Sequence, residues 1–387
     1  MAIRFGVDHL IEINPSWKTS SIGFLTNDAA RAFDHTHSRI ALIKAGFNIT
    51  KLFSPEHGID TKGADGEKMK DGLDPLTGLP ITSLYGEKFA PSEDDLKGIE
   101  ILLFDIPDAG TRFYTYLWSM TYFLEAAATY NKKIIVLDRP NPLSGNLAMI
   151  EGPSLDESVA SFIGRFNIPI KHQCSLGELA LYFNTIKGWN AKLEVIPCNG
   201  LKRTDLFSAW KQTWIPTSPA IQNFNACLLY PGFCFFEATN VSIGRGTTYS
   251  IEWFGASWFN MDAIVAVCKN MFNEDLEMQI LSLSFKSEKE WLPGIHCTVK
   301  DPENYDAVLN GLLLLKIIKD LHPQHFEWAS YPTNANPTGH NHLSLLLGIP
   351  NAEALFDLPL QNWLQKIQIL LRVDYWKKEI EPYLLYE

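Results

Sequence analysis

The sequence predicts an α/β protein whose first part is a mostly parallel sheet covered on both faces. Three observations carry this. Short β-branched or apolar runs alternate with helical segments through the first 150 residues, polar clusters fall just after those runs, and the rhythm changes after Glu151-Gly152-Pro153. Strands are expected at Ser21–Thr26, Asn48–Ser54, Ile81–Leu84, Glu100–Asp105 and Lys133–Leu137. Between them, Arg39–Ala45 reads as a short helix and Tyr116–Tyr130 as a long one, with Leu117, Met120, Phe123, Leu124 and Ala127 on one stripe. The span from Gly58 to Pro80 is polar, glycine-rich and without periodicity. Loops of that length in a compact domain are usually functional or disordered.

The second part reads as scaffold around one informative region. Ser175 with Glu178 three residues on has capping-box spacing and opens a helix, which gives Glu178 a structural reading of equal weight to a functional one. A strand follows at Lys192–Ile196, and Pro216 to Pro219 marks a bend. Residues 224 to 254 are expected to run from an apolar strand to Glu237, Asn240, Ser242 and Arg245, with Gly244 and Gly246 flanking the arginine. Helices are expected at Met261–Phe272, Tyr305–Leu321 and Leu360–Arg372, and strands at Gln279–Phe285 and His296–Val299.

Composition narrows the class. With 387 residues, 46% apolar and 20% charged, the chain buries a large core and has room for two domains. No run approaches the roughly 18–20 apolar residues of a membrane helix. A net charge of −11 without a Lys/Arg cluster argues against nucleic acid or an anionic membrane as partner. The six cysteines form no Cys-x-x-Cys pair and read as buried thiols in a reducing compartment. No basic and apolar leader precedes the first strand, so a cytoplasmic protein is expected, or a periplasmic one where a leader has been trimmed.

The strongest functional signal is Leu52-Phe-Ser-Pro-Glu-His-Gly58. Here an apolar strand ends in Glu56 and His57, held between a proline and a turn-permitting glycine. Asn27, Asp105 to Arg112 and Asp138 to Pro142 follow three other strands. All four groups fall at carboxyl ends, the edge where open α/β sheets bind ligands. A solvated turn is the bland reading of each alone.

Other chemistries fail on spacing. Gly244-Arg-Gly246 lacks the third glycine of a dinucleotide loop, which disfavours a nucleotide-dependent enzyme. Gly58 and Gly63 have phosphate-loop spacing, but Ala64 stands in place of the lysine. There is no His-Glu-x-x-His and no Gly-x-Ser-x-Gly. His35-x-His37 and His340-x-His342 lack a matching carboxylate or cysteine and read as exposed loop histidines. No metal or cofactor is expected. Carboxylates, arginines and aromatics remain, which suits a glycosidase: Glu56 as the acid, Asp105 or Asp108 as its partner, and Phe113-Tyr-Thr-Tyr-Leu-Trp118 as sugar-facing aromatics.

Taken together, Pro55-Glu-His-Gly, Thr77-Gly-Leu-Pro, Ser83-Leu-Tyr-Gly, Phe104-Asp-Ile-Pro-Asp-Ala-Gly-Thr-Arg-Phe-Tyr-Thr-Tyr, Leu137-Asp-Arg-Pro-Asn-Pro, Glu151-Gly-Pro and Glu237-Ala-Thr-Asn-Val-Ser-Ile-Gly-Arg-Gly-Thr resemble the exo-β-N-acetylmuramidases of the NamZ type, formerly a family of unknown function. The resemblance implies a Rossmann-like N-terminal domain, placed at 1–150, and a smaller α+β C-terminal domain, 151–387, facing it across a cleft. It implies release of terminal non-reducing N-acetylmuramic acid from a small muropeptide or MurNAc–GlcNAc saccharide, with Glu56 as the suspected catalytic glutamate. A non-catalytic muropeptide sensor using the same cleft is the alternative.

The substrate-binding candidates are Asn27, His57, Arg112, Tyr114, Tyr116, Arg139, Asn141, His172, Glu237, Asn240 and Arg245. Muramic acid carries a lactyl carboxylate, and Arg245 or Arg112 is expected to grip it. An arginine paired structurally with Asp105 or Asp138 is the competing reading. The chain departs from the family at Pro107, His172-Gln173 and Thr217-Ser-Pro-Ala220, positions expected to affect the sugar subsites.

Overall fold

A computed structural model describes residues 3–272, 276–284 and 291–387. Its first six strands are β1 (Ile22–Thr26), β2 (Ile49–Ser54), β3 (Gly72–Leu73), β4 (Pro80–Ser83), β5 (Ile101–Asp105) and β6 (Lys133–Leu137). A small antiparallel pair, β7 (Glu151–Ser154) and β8 (Pro169–Lys171), precedes β9 (Lys192–Ile196). The main sheet has the order β3-β4-β2-β1-β5-β6-β9 and is parallel throughout except where β3 meets β4. The sequence reading assigned β9 to the second domain. It is the seventh strand, paired in register from Lys133↔Lys192 to Leu137↔Ile196, so a break at residue 150 cuts through the sheet.

Both faces of the sheet are covered, and the strand residues sort by period two. Leu102 and Phe104 of β5, with Ile134 and Val136 of β6, pack into a core shared with α3 (Tyr116–Thr129) and α4 (Leu176–Ile186). Ile101, Leu103, Ile135 and Leu137 point the other way, to α1 (Gly6–Ile13) and α2 (Ser38–Lys44). Burial on both sides is why these strands read as unbroken apolar runs. The capping box of α4 forms as expected: Ser175 Oγ accepts from the Glu178 amide and Glu178 Oε2 from that of Ser175.

The second half contains α5 (Phe224–Phe233), α6 (Met261–Met271), α7 (Ala307–Leu321), α8 (His342–Leu347) and α9 (Leu360–Leu370), with an antiparallel sheet β10-β12-β11 made of Trp253–Gly255, Trp291–Val299 and Leu276–Ser284. Phe285, the expected end of the strand beginning near Gln279, lies outside the described residues. The apolar run after Asn223, expected as a strand, is helix α5. Asn223 caps it by accepting from the Ala226 amide, and Gly232 meets Gly311 of α7 backbone to backbone, where a Cβ on Gly311 would sit 2.3 Å from the Gly232 Cα. Being apolar on every side, the run has no stripe to betray its period.

Glu151 and Arg112 are among the side chains that hold the halves together. Glu151 accepts from the amides of Ala307, Val308 and Leu309, placing a carboxylate on the N-terminus of α7, and from Lys171 Nζ. Arg112 is fully buried and donates to the carbonyls of Pro153, Ile168 and Leu346. Among the described residues, no helix is long and apolar enough to cross a membrane.

Candidate active site

β2 delivers Glu56. Pro55 cannot continue the ladder, and His57 and Gly58 take positive φ of 65° and 74°, so the chain turns sharply and tucks the glutamate inward. Glu56 is 4% exposed. Its Oε2 accepts from Thr115 Oγ1 at 2.6 Å, at the start of α3, and its Oε1 from the Gly66 amide at 2.9 Å. Burial, and next the neighbouring charge of Asp65, push the Glu56 carboxyl above its usual range. His57 and the two donors oppose this.

The long loop after Gly58 folds back over the acid and brings Asp65 with it. Gly66 has φ 68°, and a Cβ there would lie 2.7 Å from Thr333, so only glycine lets the loop touch the segment that precedes α8. The Tyr331 hydroxyl donates to Asp65 Oδ2 at 2.7 Å, and the Asn334 amide donates to the Gly66 carbonyl. Arg245 lies 3.9 Å from Asp65 and pairs closely with Glu237. His342 Nε2 is 3.4 Å from Glu237 Oε2, and its ring stacks on Tyr331 at 4.6 Å. Burial works to raise the Asp65 carboxyl, but Arg245, His57, the Tyr331 hydroxyl and His342 outweigh it and hold it below the ordinary range.

These groups enclose about 540 Å³ of space, completed by Tyr85, Tyr114, Tyr230 and Ser218. One carboxyl whose surroundings favour its proton thus faces another whose surroundings favour its charge, with aromatic walls and a cation beyond. Glu56, His57 and Asp65 each also offer a ligand atom within 4.8 Å of the other two, a set that could hold a divalent ion.

The model for the N-terminal part of exo-β-N-acetylmuramidase NamZ matches residues 22–225, and that for its C-terminal part matches 228–386. The chain belongs to the NamZ family. It is 34% identical over 333 residues to the peptidoglycan β-N-acetylmuramidase NamZ of Bacillus subtilis (strain 168), covering 85% of this chain and 80% of that protein. Crystal structures of two DUF1343 family proteins from Bacteroides fragilis superimpose with TM-scores of 0.87 and 0.71, at 27% and 28% identity. Each comparison covers 100% of this chain and 99% of the other.

Of the residues singled out in this NamZ-family sequence, Glu56, His57, Phe113, Tyr114, Ser218, Ala220, Glu237 and Arg245 line one cavity. The other catalytic and substrate-binding candidates do not line it. Asp105 is wholly buried and forms a two-point pair with Arg139, at 2.5 and 2.9 Å. It therefore stands as a structural anion, and Arg139 as its counter-ion. Asp108 lies on the far side of Thr217, with Oδ2 accepting from the Gly110 amide and 3.4 Å from His172 Nε2. Arg112 spends its donors on three backbone carbonyls, which leaves it unsuited to grip a carboxylate. Asn27 accepts from the Ala29 amide, Asn141 bridges Leu143 and Cys174, Asn240 bridges His325 and Glu327, and the Tyr116 hydroxyl donates to the Thr217 carbonyl.

The sequence reading missed Asp65, Tyr85, Thr115, Tyr331 and His342. Asp65 lies in the loop flagged for its length, which was the available signal. His342, expected as an exposed loop histidine, is buried beneath Tyr331, whereas His340 is exposed.

Proposed function

We propose that this chain is an exo-β-N-acetylmuramidase: a glycoside hydrolase that releases terminal N-acetylmuramic acid from small peptidoglycan saccharides. The observation that carries the reading is the pair Glu56 and Asp65, whose surroundings push one carboxyl up and the other down in a single cavity. Family membership and the curated relative's activity support the substrate class. Nothing in the cavity favours a non-catalytic sensor, which has no need of a buried proton donor.

In this mechanism Glu56 gives its proton to the glycosidic oxygen, which leaves as an alcohol. The positive charge that builds at the anomeric carbon faces the Asp65 carboxylate. One oxygen of each group lies within 4.8 Å of the other, closer to the roughly 5–5.5 Å of retaining carboxyl pairs than to the roughly 6.5–9.5 Å of inverting ones. We therefore assign a two-step, retaining route: the Asp65 carboxylate bonds to the anomeric carbon as the glycosidic C–O bond breaks, and water then displaces Asp65 while Glu56, now deprotonated, takes that water's proton. Arg245, held between Glu237 and Asp65, is the cation in the cavity suited to the lactyl carboxylate. The six buried free thiols support a cytoplasmic setting.

The test is proton NMR of a chromogenic β-N-acetylmuramide during hydrolysis, with the matching glucosaminide run in parallel. β-Muramic acid as first product is expected. An α first product overturns the two-step route, and no release from the muramide overturns the enzyme reading.

A further inference from the structure

A second cavity, of about 570 Å³, opens on the same edge of the sheet. The strand order turns back at β1, with β2 and β4 on one side and β5, β6 and β9 on the other. The cavity lies over the loops that follow β1 and β5, the switch point where open α/β sheets hold ligands. Arg139 and Asp108 contribute to its lining, Phe207, Trp210 and Trp214 give it aromatic walls, and Gln212 and the exposed Thr213 stand among its polar groups. A ridge divides it from the Glu56 cavity. Thr217 faces this side and Ser218 the other, and the hydroxyls of Tyr114 and Tyr116 fix the ridge by donating to Thr217 Oγ1 and its carbonyl, each at 2.7 Å.

Charge and hydrogen bonding define what would fit. Arg139 is matched by Asp105, and the lining holds one further cation, Arg31, and one carboxylate, Asp108, so the charges balance and none is left to demand an anion. The walls hold a donor and an acceptor without protein partners among the described residues: Trp210 Nε1 and Asp108 Oδ1, on side chains 8% and 5% exposed. Aromatic faces with a few polar groups and balanced charge suit a neutral, hydroxyl-bearing ring. We infer that this cavity is a second saccharide site, separate from the hydrolytic one, that takes a neutral N-acetylhexosamine of the N-acetylglucosamine type. The inference rests on the proposed function for its substrate class, but its test needs no turnover.

Calorimetric titration of the whole protein with N-acetylglucosamine is expected to show saturable binding that persists in Glu56→Gln protein preloaded with methyl β-N-acetylmuramide. Trp214→Leu removes an aromatic wall and Thr213→Trp crowds the opening from an exposed position. Each is expected to weaken that binding about tenfold or more, about one unit in log Kd, with melting temperature verifying the fold. Unchanged affinity in a natively folded Thr213→Trp protein overturns the proposal, as does displacement of N-acetylglucosamine by the muramide, or binding of D-alanyl-D-alanine in its place. Loss of binding in these variants alongside a wild-type protein that hydrolyses no muramide would uphold the site and overturn only the enzyme reading.

Discussion

Glu56 at the end of β2 and Asp105 at the end of β5 are buried carboxyl groups on one edge of one sheet, yet their surroundings differ in kind. Asp105 meets a guanidinium at two points. Glu56 meets a hydroxyl and an amide, and the neighbouring charge that acts on it most is another carboxylate. The first arrangement fixes a negative charge in place. The second favours a proton, because burial and Asp65 both penalise the anion. The partner that folding supplies, more than burial itself, separates a scaffold carboxylate from a candidate acid.

Exchanging each carboxyl for its amide tests this contrast most directly. Glu56→Gln is expected to lower muramide turnover by about 10²–10⁴ while leaving the melting temperature at or above that of the native protein, since the amide needs no proton to stay neutral. Turnover within tenfold of native would remove Glu56 as the acid. Asp105→Asn strands the Arg139 charge in the interior and should cost about 3–5 kcal/mol in urea unfolding. A variant of native stability would dissolve the contrast.

A smaller effect is expected at the cation. Arg245→Gln should raise KM for the muramide about 10- to 100-fold, the value of a hydrogen bond to a charged group, with little change for a glucosaminide lacking the lactyl carboxylate. Equal effects on both would take the lactyl group away from Arg245.

The subtlest test is pH. Glu56 keeps its proton above its usual value of 4.5 in the folded state. Activity should therefore fall as pH rises through the raised pKa, and Asp65→Asn should move the matching step of the melting-temperature profile to lower pH by removing a charge that raises it. The sign for stability is the same. Glu56 contributes fully below the unfolded value and loses that contribution as pH rises through the folded one. Glu56→Gln should flatten this part of a melting-temperature profile, and an unaltered profile would assign the titration elsewhere.

Much of the frame was legible because local pattern dictates it. β1, β2, β5, β6 and β9 lie within one residue of their expected bounds, and β1 and β5, buried at every position, show why: strands buried on both faces must be apolar throughout. The Ser175–Glu178 cap needs only four residues. α5 was illegible for the opposite reason: its helical form depends on Gly232 pressing against Gly311, far along the chain.

The candidate site divides along the same line. Pro55-Glu56-His57-Gly58 announces a carboxyl at a strand end because strand, proline and turn are all local. Tyr331 and His342 announce no such site, and Asp65 is signalled only by the length of its loop, since the Tyr331 hydroxyl reaches Asp65 from 266 residues away. By itself the sequence determined the sheet, the edge that carries the loops and the glutamate at its tip. Only the tertiary structure decided which carboxyl pairs with an arginine and which is left to hold a proton, because a pKa is set by whatever the fold packs against a group, and those neighbours come from distant parts of the chain.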